Sequence, residues 1–156
     1  MSKQDFPALY RTLQGHNQTL STVSINSSTT QIASGSSEGL LYLWNLKSQN
    51  IRAKKLKGHS GAICEVNFSP SSALIATASM DNTIRIWNNS SIDNYPSNVI
   101  RSHSACVRSV HFSPDSMFLV SASNDKTVKT FNVSYKYNSR LEQGSSRQDS
   151  ACITTG

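Results

Sequence analysis

Residues 56–88 read LKGHSGAICEVNFSPSSALIATASMDNTIRIWN, and the pattern is written twice more, as LQGHNQTLSTVSINSSTTQIASGSSEGLLYLWN over 13–45 and IRSHSACVRSVHFSPDSMFLVSASNDKTVKTFN over 100–132. The histidines His16, His59 and His103 stand 43 and 44 residues apart, and each is followed 28 residues later by an aromatic, Trp44, Trp87 or Phe131. A fixed period of this length marks units that cannot bury their apolar face alone and stack on their neighbours to do so. Inside the central unit, residues 64–68, 74–79 and 83–87 are short apolar and β-branched runs separated by Ser69-Pro70-Ser71 and Met80-Asp81-Asn82. The separators are turn formers, so the runs are strands joined by tight hairpins. Amphipathic helical spacing is absent over windows of about eleven residues and no strand–helix alternation is found, which makes the architecture all-β.

A fourth strand per unit is expected from the segment ahead of each repeat histidine, residues 8–13 before His16 and 51–56 before His59. The chain then divides into an N-terminal segment 1–14 with the outer strand that would close a full ring, repeats at 15–57, 58–101 and 102–134, and an irregular tail 135–156. These units resemble the WD40 family of β-propeller repeats, which implies an open, partial propeller of about three four-stranded antiparallel blades. The resemblance also implies a hydrogen-bonded tetrad in each blade: His16, Ser34, Glu38 and Trp44; His59, Thr77, Asp81 and Trp87; His103, Ser121, Asp125 and Phe131. Its physical reason is the satisfaction of buried polar groups, with carboxylate, imidazole, hydroxyl and indole N–H each answering the next. Two departures weaken the outer units relative to the central one. Glu38 is a methylene longer than the family's Asp, and Phe131 has no N–H to offer Ser121. All three units also carry Asn, at Asn45, Asn88 and Asn132, where the family's repeat ends in Trp-Asp.

Propellers engage partners over the face where the blade-entry loops surround the central channel, with side chains positioned by rigid strands. By family analogy the exposed positions are Thr19, Ser21 and Ser37 in the first unit, Ala62, Cys64 and Met80 in the second, and Cys106, Arg108 and Asn124 in the third. Arg108 is the foremost contact candidate, because arginine is enriched where binding energy concentrates. The competing readings of these residues are chemical. His59 with Cys64, or His103 with Cys106, has zinc-ligand types, but the spacings differ and the first unit has Thr19 and Ser21 in their place. Asp81, His59 and Thr77 have the types of a nucleophilic triad, yet a catalytic set is rarely copied at a fixed period. No phosphate loop or nucleophile elbow is present, so neither a metal nor a cofactor is expected, and the chain is read as a non-enzyme.

The 156 residues are 37% hydrophobic, with no transmembrane-length apolar run and no signal-peptide pattern at the start. Cys64, Cys106 and Cys152 form an odd set without CxxC, which suits free thiols in a reducing cytoplasm. The sequons at Asn17, Asn26, Asn88, Asn89 and Asn132 are then idle. A net charge of +6 favours acidic partners such as tubulin tails or nucleic acid. Five basic residues cluster at Lys47, Arg52, Lys54, Lys55 and Lys57, but without interleaved aromatics they read as a solvated loop rather than a nucleic-acid surface.

Within the WD40 proteins, the chain resembles the proteome-of-centriole-one family. The resemblance lies in Val107-Arg108-Ser109-Val110-His111-Phe112 followed by Ser123-Asn124-Asp125-Lys126-Thr127-Val128-Lys129, in Gln31-Ile32-Ala33-Ser34-Gly35-Ser36, and in Val66-Asn67-Phe68-Ser69-Pro70. It implies a structural role at centrioles or basal bodies in the cytoskeleton, supporting ciliogenesis through other proteins. The alternatives are a subunit of a ubiquitin-ligase or RNA-processing assembly, or a truncated fragment with no function of its own. Three blades are too few for a ring, so the expectation is a C-terminally truncated product, a short isoform or an incomplete gene model. Its two end blades are expected to expose apolar sheet and to invite self-association.

Overall fold

A computed structural model describes residues 10–48, 51–90 and 97–134. Eleven strands follow in order: β1 (Leu20–Ile25), β2 (Gln31–Ser36), β3 (Leu41–Asn45), β4 (Lys54–Leu56), β5 (Ile63–Phe68), β6 (Leu74–Ser79), β7 (Ile84–Asn88), β8 (Asn98–Ile100), β9 (Val107–Phe112), β10 (Phe118–Ser123) and β11 (Val128–Asn132). They form three antiparallel sheets, β1-β2-β3-β4, β5-β6-β7-β8 and β9-β10-β11, with no helix among the described residues. The fold is thus an open, partial propeller of three blades.

Each blade repeats the same backbone devices. The first hairpin places Thr29, Ser72 or Ser116 at positive φ, and the second places Gly39, Asn82 or Lys126 there. A bulge interrupts the register near the start of the inner strand, at Leu20/Thr22 in the first blade and Ile63/Glu65 in the second, and opposite Val107 in the third. Alternation along the strands sends apolar side chains between blades. Ala33, Leu41 and Leu43 of the first blade meet Ile63, Val66 and Phe68 of the second. Leu74, Ala76 and Ile84 of the second meet Val107 and Val110 of the third. Each blade completes its neighbour's core, which is why the units do not fold as independent domains.

The outer strands depart from the sequence expectation. The strand expected over 51–56 shortens to β4, and no strand forms at Tyr10–Leu13, whose expected place is beside the last blade of a closed ring and not in the first sheet. Ala8 and Leu9 lie outside the described residues. The third blade has three described strands, and the irregular tail expected at 135–156 lies outside the described residues.

Candidate functional site

In the central blade, His59 leaves its loop and points into the sheet, where Nδ1 lies 2.8 Å from Asp81 Oδ2 and Nε2 lies 2.7 Å from Thr77 Oγ1. Asp81 can only accept, so Nδ1 carries the proton and Nε2 accepts from the Thr77 hydroxyl. Trp87 Nε1–H donates to the same hydroxyl oxygen at 3.1 Å. The chain runs indole, hydroxyl, imidazole, carboxylate, with every polar atom answered. Burial pushes the His59 imidazole below its ordinary value, against the raising effect of Asp81. Burial alone would raise the Asp81 carboxyl, but hydrogen bonds from Thr83, His59 and the Ser60 N–H override it and bring it down to about 2.

Thr83 is a residue the sequence reading missed. Its hydroxyl donates to Asp81 Oδ1 at 2.6 Å and its N–H to the same oxygen at 2.9 Å, fixing the carboxylate that faces His59. Thr127 does the same for Asp125 in the third blade, at 2.6 and 2.9 Å. The signal was present in the Asp-x-Thr spacing shared by both units and absent from the first, where Leu40 takes that place.

The third blade brings His103 Nδ1 to 2.7 Å from Asp125 Oδ2 and Nε2 to 2.7 Å from Ser121 Oγ. The Thr127 hydroxyl leads the contacts that hold the Asp125 carboxyl below the usual carboxylate range. Phe131 gives Ser121 no indole partner, and a second substitution accompanies it. A Cβ added to Gly58 would lie 2.9 Å from Arg85 Nη1 and 3.0 Å from Trp87 Cη2, so the glycine makes room for the guanidinium and the indole together. Where the third blade has the smaller phenyl ring, the matching position holds Ser102.

The first blade assembles three of its four. His16 Nε2 lies 2.7 Å from Ser34 Oγ, which also accepts Trp44 Nε1–H at 2.9 Å. Glu38 is exposed and does not reach, and His16 Nδ1 is buried without a hydrogen-bond partner. The Tyr42 ring packs on the imidazole instead, with centroids 4.0 Å apart. Burial holds the His16 imidazole below its ordinary value, with the Glu38 charge acting against it.

The nine rim residues fall along one edge of the blades. In each unit the position third after the histidine accepts a backbone hydrogen bond from the one before the hairpin acid: Thr19 from Ser37 at 3.0 Å, Ala62 from Met80 at 2.9 Å, and Cys106 from Asn124 at 2.9 Å. Thr19, Ser21, Ser37, Met80, Arg108 and Asn124 are exposed, whereas Ala62, Cys64 and Cys106 are half-buried. Neighbouring blades join at this rim. The Ser21 hydroxyl donates to the Ile63 carbonyl, and Cys64 Sγ lies 3.7 Å from Cys106 Sγ with both thiols free. Burial first, then the contact with Cys106, pushes the Cys64 thiol up to about 11. Among the described residues no three His, Cys, Asp or Glu side chains converge to hold a metal ion.

A family model described as WD domain, G-beta repeat matches residues 8–45, 51–88 and 94–132, which is most of the chain. POC1 centriolar protein homolog A of Xenopus tropicalis is 47% identical over 43 residues, or 28% of this chain and 10% of that protein. The Xenopus laevis protein of the same name is 46% identical over 43 residues. The match thus spans about a tenth of the length of these curated relatives.

Proposed function

This chain belongs to the WD40 family, and from that premise we propose that it is a non-catalytic scaffold that holds other proteins along the rim from Thr19 to Asn124. The observation that carries the reading is the threefold repetition of the rim geometry, which sets exposed Ser37, Met80 and Asn124 at fixed intervals just past the ends of β2, β6 and β10, with Arg108 exposed on β9. Burial of the tetrad hydroxyls supports the non-catalytic part. Thr77 is 0% exposed and Ser121 1%, so no substrate atom can approach the oxygen that a triad would use. The tetrads are then structural pins, and the repeats at 15–57, 58–101 and 102–134 are the units they pin.

The centriolar relatives support a finer reading: a cytoplasmic protein of the cytoskeleton that acts at centrioles or basal bodies, contributes to their stability and to ciliogenesis, and meets acidic microtubule-associated surfaces with its +6 charge. Nucleic acid is the lesser partner, because the basic residues flanking β4 lack stacking aromatics apart from Tyr42, which is itself buried.

Two measurements test these levels separately. Proximity labelling from the tagged chain is expected to mark proteins whose recovery falls at least severalfold with Arg108→Glu and Met80→Glu, while the far-UV spectrum is unchanged. Equal recovery with both variants removes the rim from the account. Overlap of the tagged chain with a centriolar marker tests the finer reading, and enrichment of ubiquitin-ligase or RNA-processing subunits instead replaces it.

A further inference from the structure

At the rim, each junction between neighbouring blades joins the position fifth after one repeat histidine to the stretch around the position third after the next. The fifth position is the extra residue of the inner-strand bulge, Ser21 between Leu20 and Thr22 and Cys64 between Ile63 and Glu65, so it has no partner across its own sheet. Its side chain reaches the next blade instead. At the first junction Ala62 holds the third position and has no polar side chain to offer, and the Ser21 hydroxyl donates to the Ile63 carbonyl. At the second junction Cys64 meets Cys106, with their Sγ atoms 3.7 Å apart. The fold thus sets two thiols against each other where the equivalent contact uses a hydroxyl and a carbonyl.

The backbone beside both cysteines is fixed. Ile63 and Val107, their chain neighbours, are each 0% exposed. The Ala62 carbonyl accepts the Met80 N–H at 2.9 Å, and the Cys106 carbonyl accepts the Asn124 N–H at 2.9 Å and the Ser123 hydroxyl at 3.0 Å. The thiols have only weak contacts besides each other, Cys64 Sγ with the Ala62 carbonyl at 4.0 Å and Cys106 Sγ with the Val107 carbonyl at 3.8 Å. Side-chain rotation is therefore left to them, and a disulfide asks the sulfurs to close to about 2.0 Å. Both residues are half-buried, within reach of a small thiol or disulfide. Burial first, and then the Cys106 contact, keeps the Cys64 thiol protonated, so Cys64 is a slow nucleophile until Cys106 is engaged and that contact is lost.

We propose that Cys64 and Cys106 are a reversible dithiol–disulfide site, oxidised by a low-molecular-weight disulfide such as oxidised glutathione to a bond that staples the second blade to the third. The Cys106 thiolate attacks one sulfur of glutathione disulfide, breaking that S–S bond and releasing one glutathione thiolate, which takes up the proton Cys106 gave to solvent. Cys64 then loses its proton and attacks the Cys106 sulfur, and the second glutathione leaves with that proton. Two protein thiols give up two electrons, and one glutathione disulfide is reduced to two glutathione molecules. Excess reduced glutathione runs the same steps backwards. Arg108 follows Cys106 by two residues and Ala62 precedes Cys64 by two, so the bond lies within the rim. The inference rests on the sulfur geometry and is independent of which partner the rim holds.

The test uses the full chain carrying Cys152→Ser, reduced and then treated with oxidised glutathione. The intact mass of the single chain is expected to fall by two hydrogens, both thiols to become silent to maleimide, and a peptide pair linked through Cys64 and Cys106 to appear on digestion. Tying residues 42 apart is expected to raise the urea midpoint by about 1–2 M, and excess reduced glutathione to return both mass and midpoint. Cys64→Ser in the same background keeps the attacking thiol and is expected to stop at a mixed disulfide, heavier by one glutathionyl group. A chain that keeps both thiols, carries glutathione on both, or pairs them only between chains overturns the proposal. So does an internal bond that lowers the urea midpoint or that excess reduced glutathione leaves closed, and so does a Cys64→Ser chain left unmodified, since the exchange begins on Cys106. None of these failures touches the scaffold reading, which Arg108→Glu and Met80→Glu test.

Discussion

The first and central blades hold their histidine at the same place against the same kind of hydroxyl, but they answer its second nitrogen differently. In the central blade His59 Nδ1–H ends on Asp81, which Thr83 and the Ser60 N–H hold in place. In the first blade His16 Nδ1 ends on nothing, and the ring is covered by Tyr42. The difference teaches that the carboxylate is not merely a fourth link. It requires its own support, and where Leu40 replaces the supporting threonine, Glu38 turns to solvent and the repeat falls back on aromatic packing.

The largest break of that comparison is Thr77→Val, which keeps the side-chain volume and removes the hydroxyl. It strands Trp87 Nε1–H and His59 Nε2 together in a fully buried place, and each orphan costs about 1–3 kcal/mol, so a loss of about 2–6 kcal/mol is expected in urea unfolding. Ser34→Ala removes the matching hydroxyl from the first blade. It strands Trp44 Nε1–H as well, and the cost is expected to be smaller because His16 is only half-buried. Equal losses would show that the central pin is no tighter than the first.

Acid separates the two blades next. The unfolded chain protonates a histidine near its ordinary 6.5, while burial holds His59 and His16 lower, so protons favour the unfolded state. Stability from both histidines is complete above that value and declines as pH falls through it. Asp81 adds a second arm that belongs to the central blade. Its stabilisation is present above the ordinary 3.8 and is lost as pH falls toward about 2. Urea midpoints are expected to drop in both ranges for the parent chain. In Asp81→Asn the contribution of this carboxyl to the lower drop disappears. An unchanged lower drop would sever it from Asp81.

Rebuilding the missing support is expected to act in the opposite direction. Glu38→Asp with Leu40→Thr copies the Asp81 and Thr83 pair into the first blade and gives His16 Nδ1–H an acceptor, a gain of about 1 kcal/mol in urea unfolding. Glu38→Asp alone is expected to gain less, because the shorter carboxylate lacks the hydroxyl that orients it. A single substitution as good as the double would make the threonine incidental.

The three-blade fold was legible because His16, His59 and His103 mark a period that no other architecture explains, and the strands between them alternate cleanly. The outer strands were less so. They are short, and β4 and β8 of only three residues each carry little pattern of their own. The tetrad types could be read off the sequence, but Thr83 and Thr127 could not be told from ordinary hairpin residues until their hydroxyls were seen against the carboxylates. That Cys64 and Cys106 meet across a blade boundary was also hidden, because a contact between repeats depends on how sheets stack and not on spacing within either one.

The smallest effect concerns the third blade, where the indole is absent and Ser102 stands in place of glycine. Phe131→Trp alone offers Ser121 its missing N–H, but it drives the larger ring toward the Ser102 side chain. By the geometry of Gly58, a Cβ there would lie 3.0 Å from the indole edge, so the single variant is expected to gain nothing or to lose stability. Ser102→Gly alone frees the space, gives up the hydrogen bond from Lys129 Nζ to Ser102 Oγ and costs about 0.5–1 kcal/mol of chain entropy. Together they supply a hydrogen bond worth about 0.5–1.5 kcal/mol net, nearly offset by the glycine. The sharper measure is therefore the coupling between the two, expected to be favourable by about 1 kcal/mol in a double-mutant cycle even where the net change is close to zero. Simple additivity would mean that the Gly–Trp and Ser–Phe pairings at these positions are coincidental, and that the third blade omits the indole for a reason unrelated to its glycine.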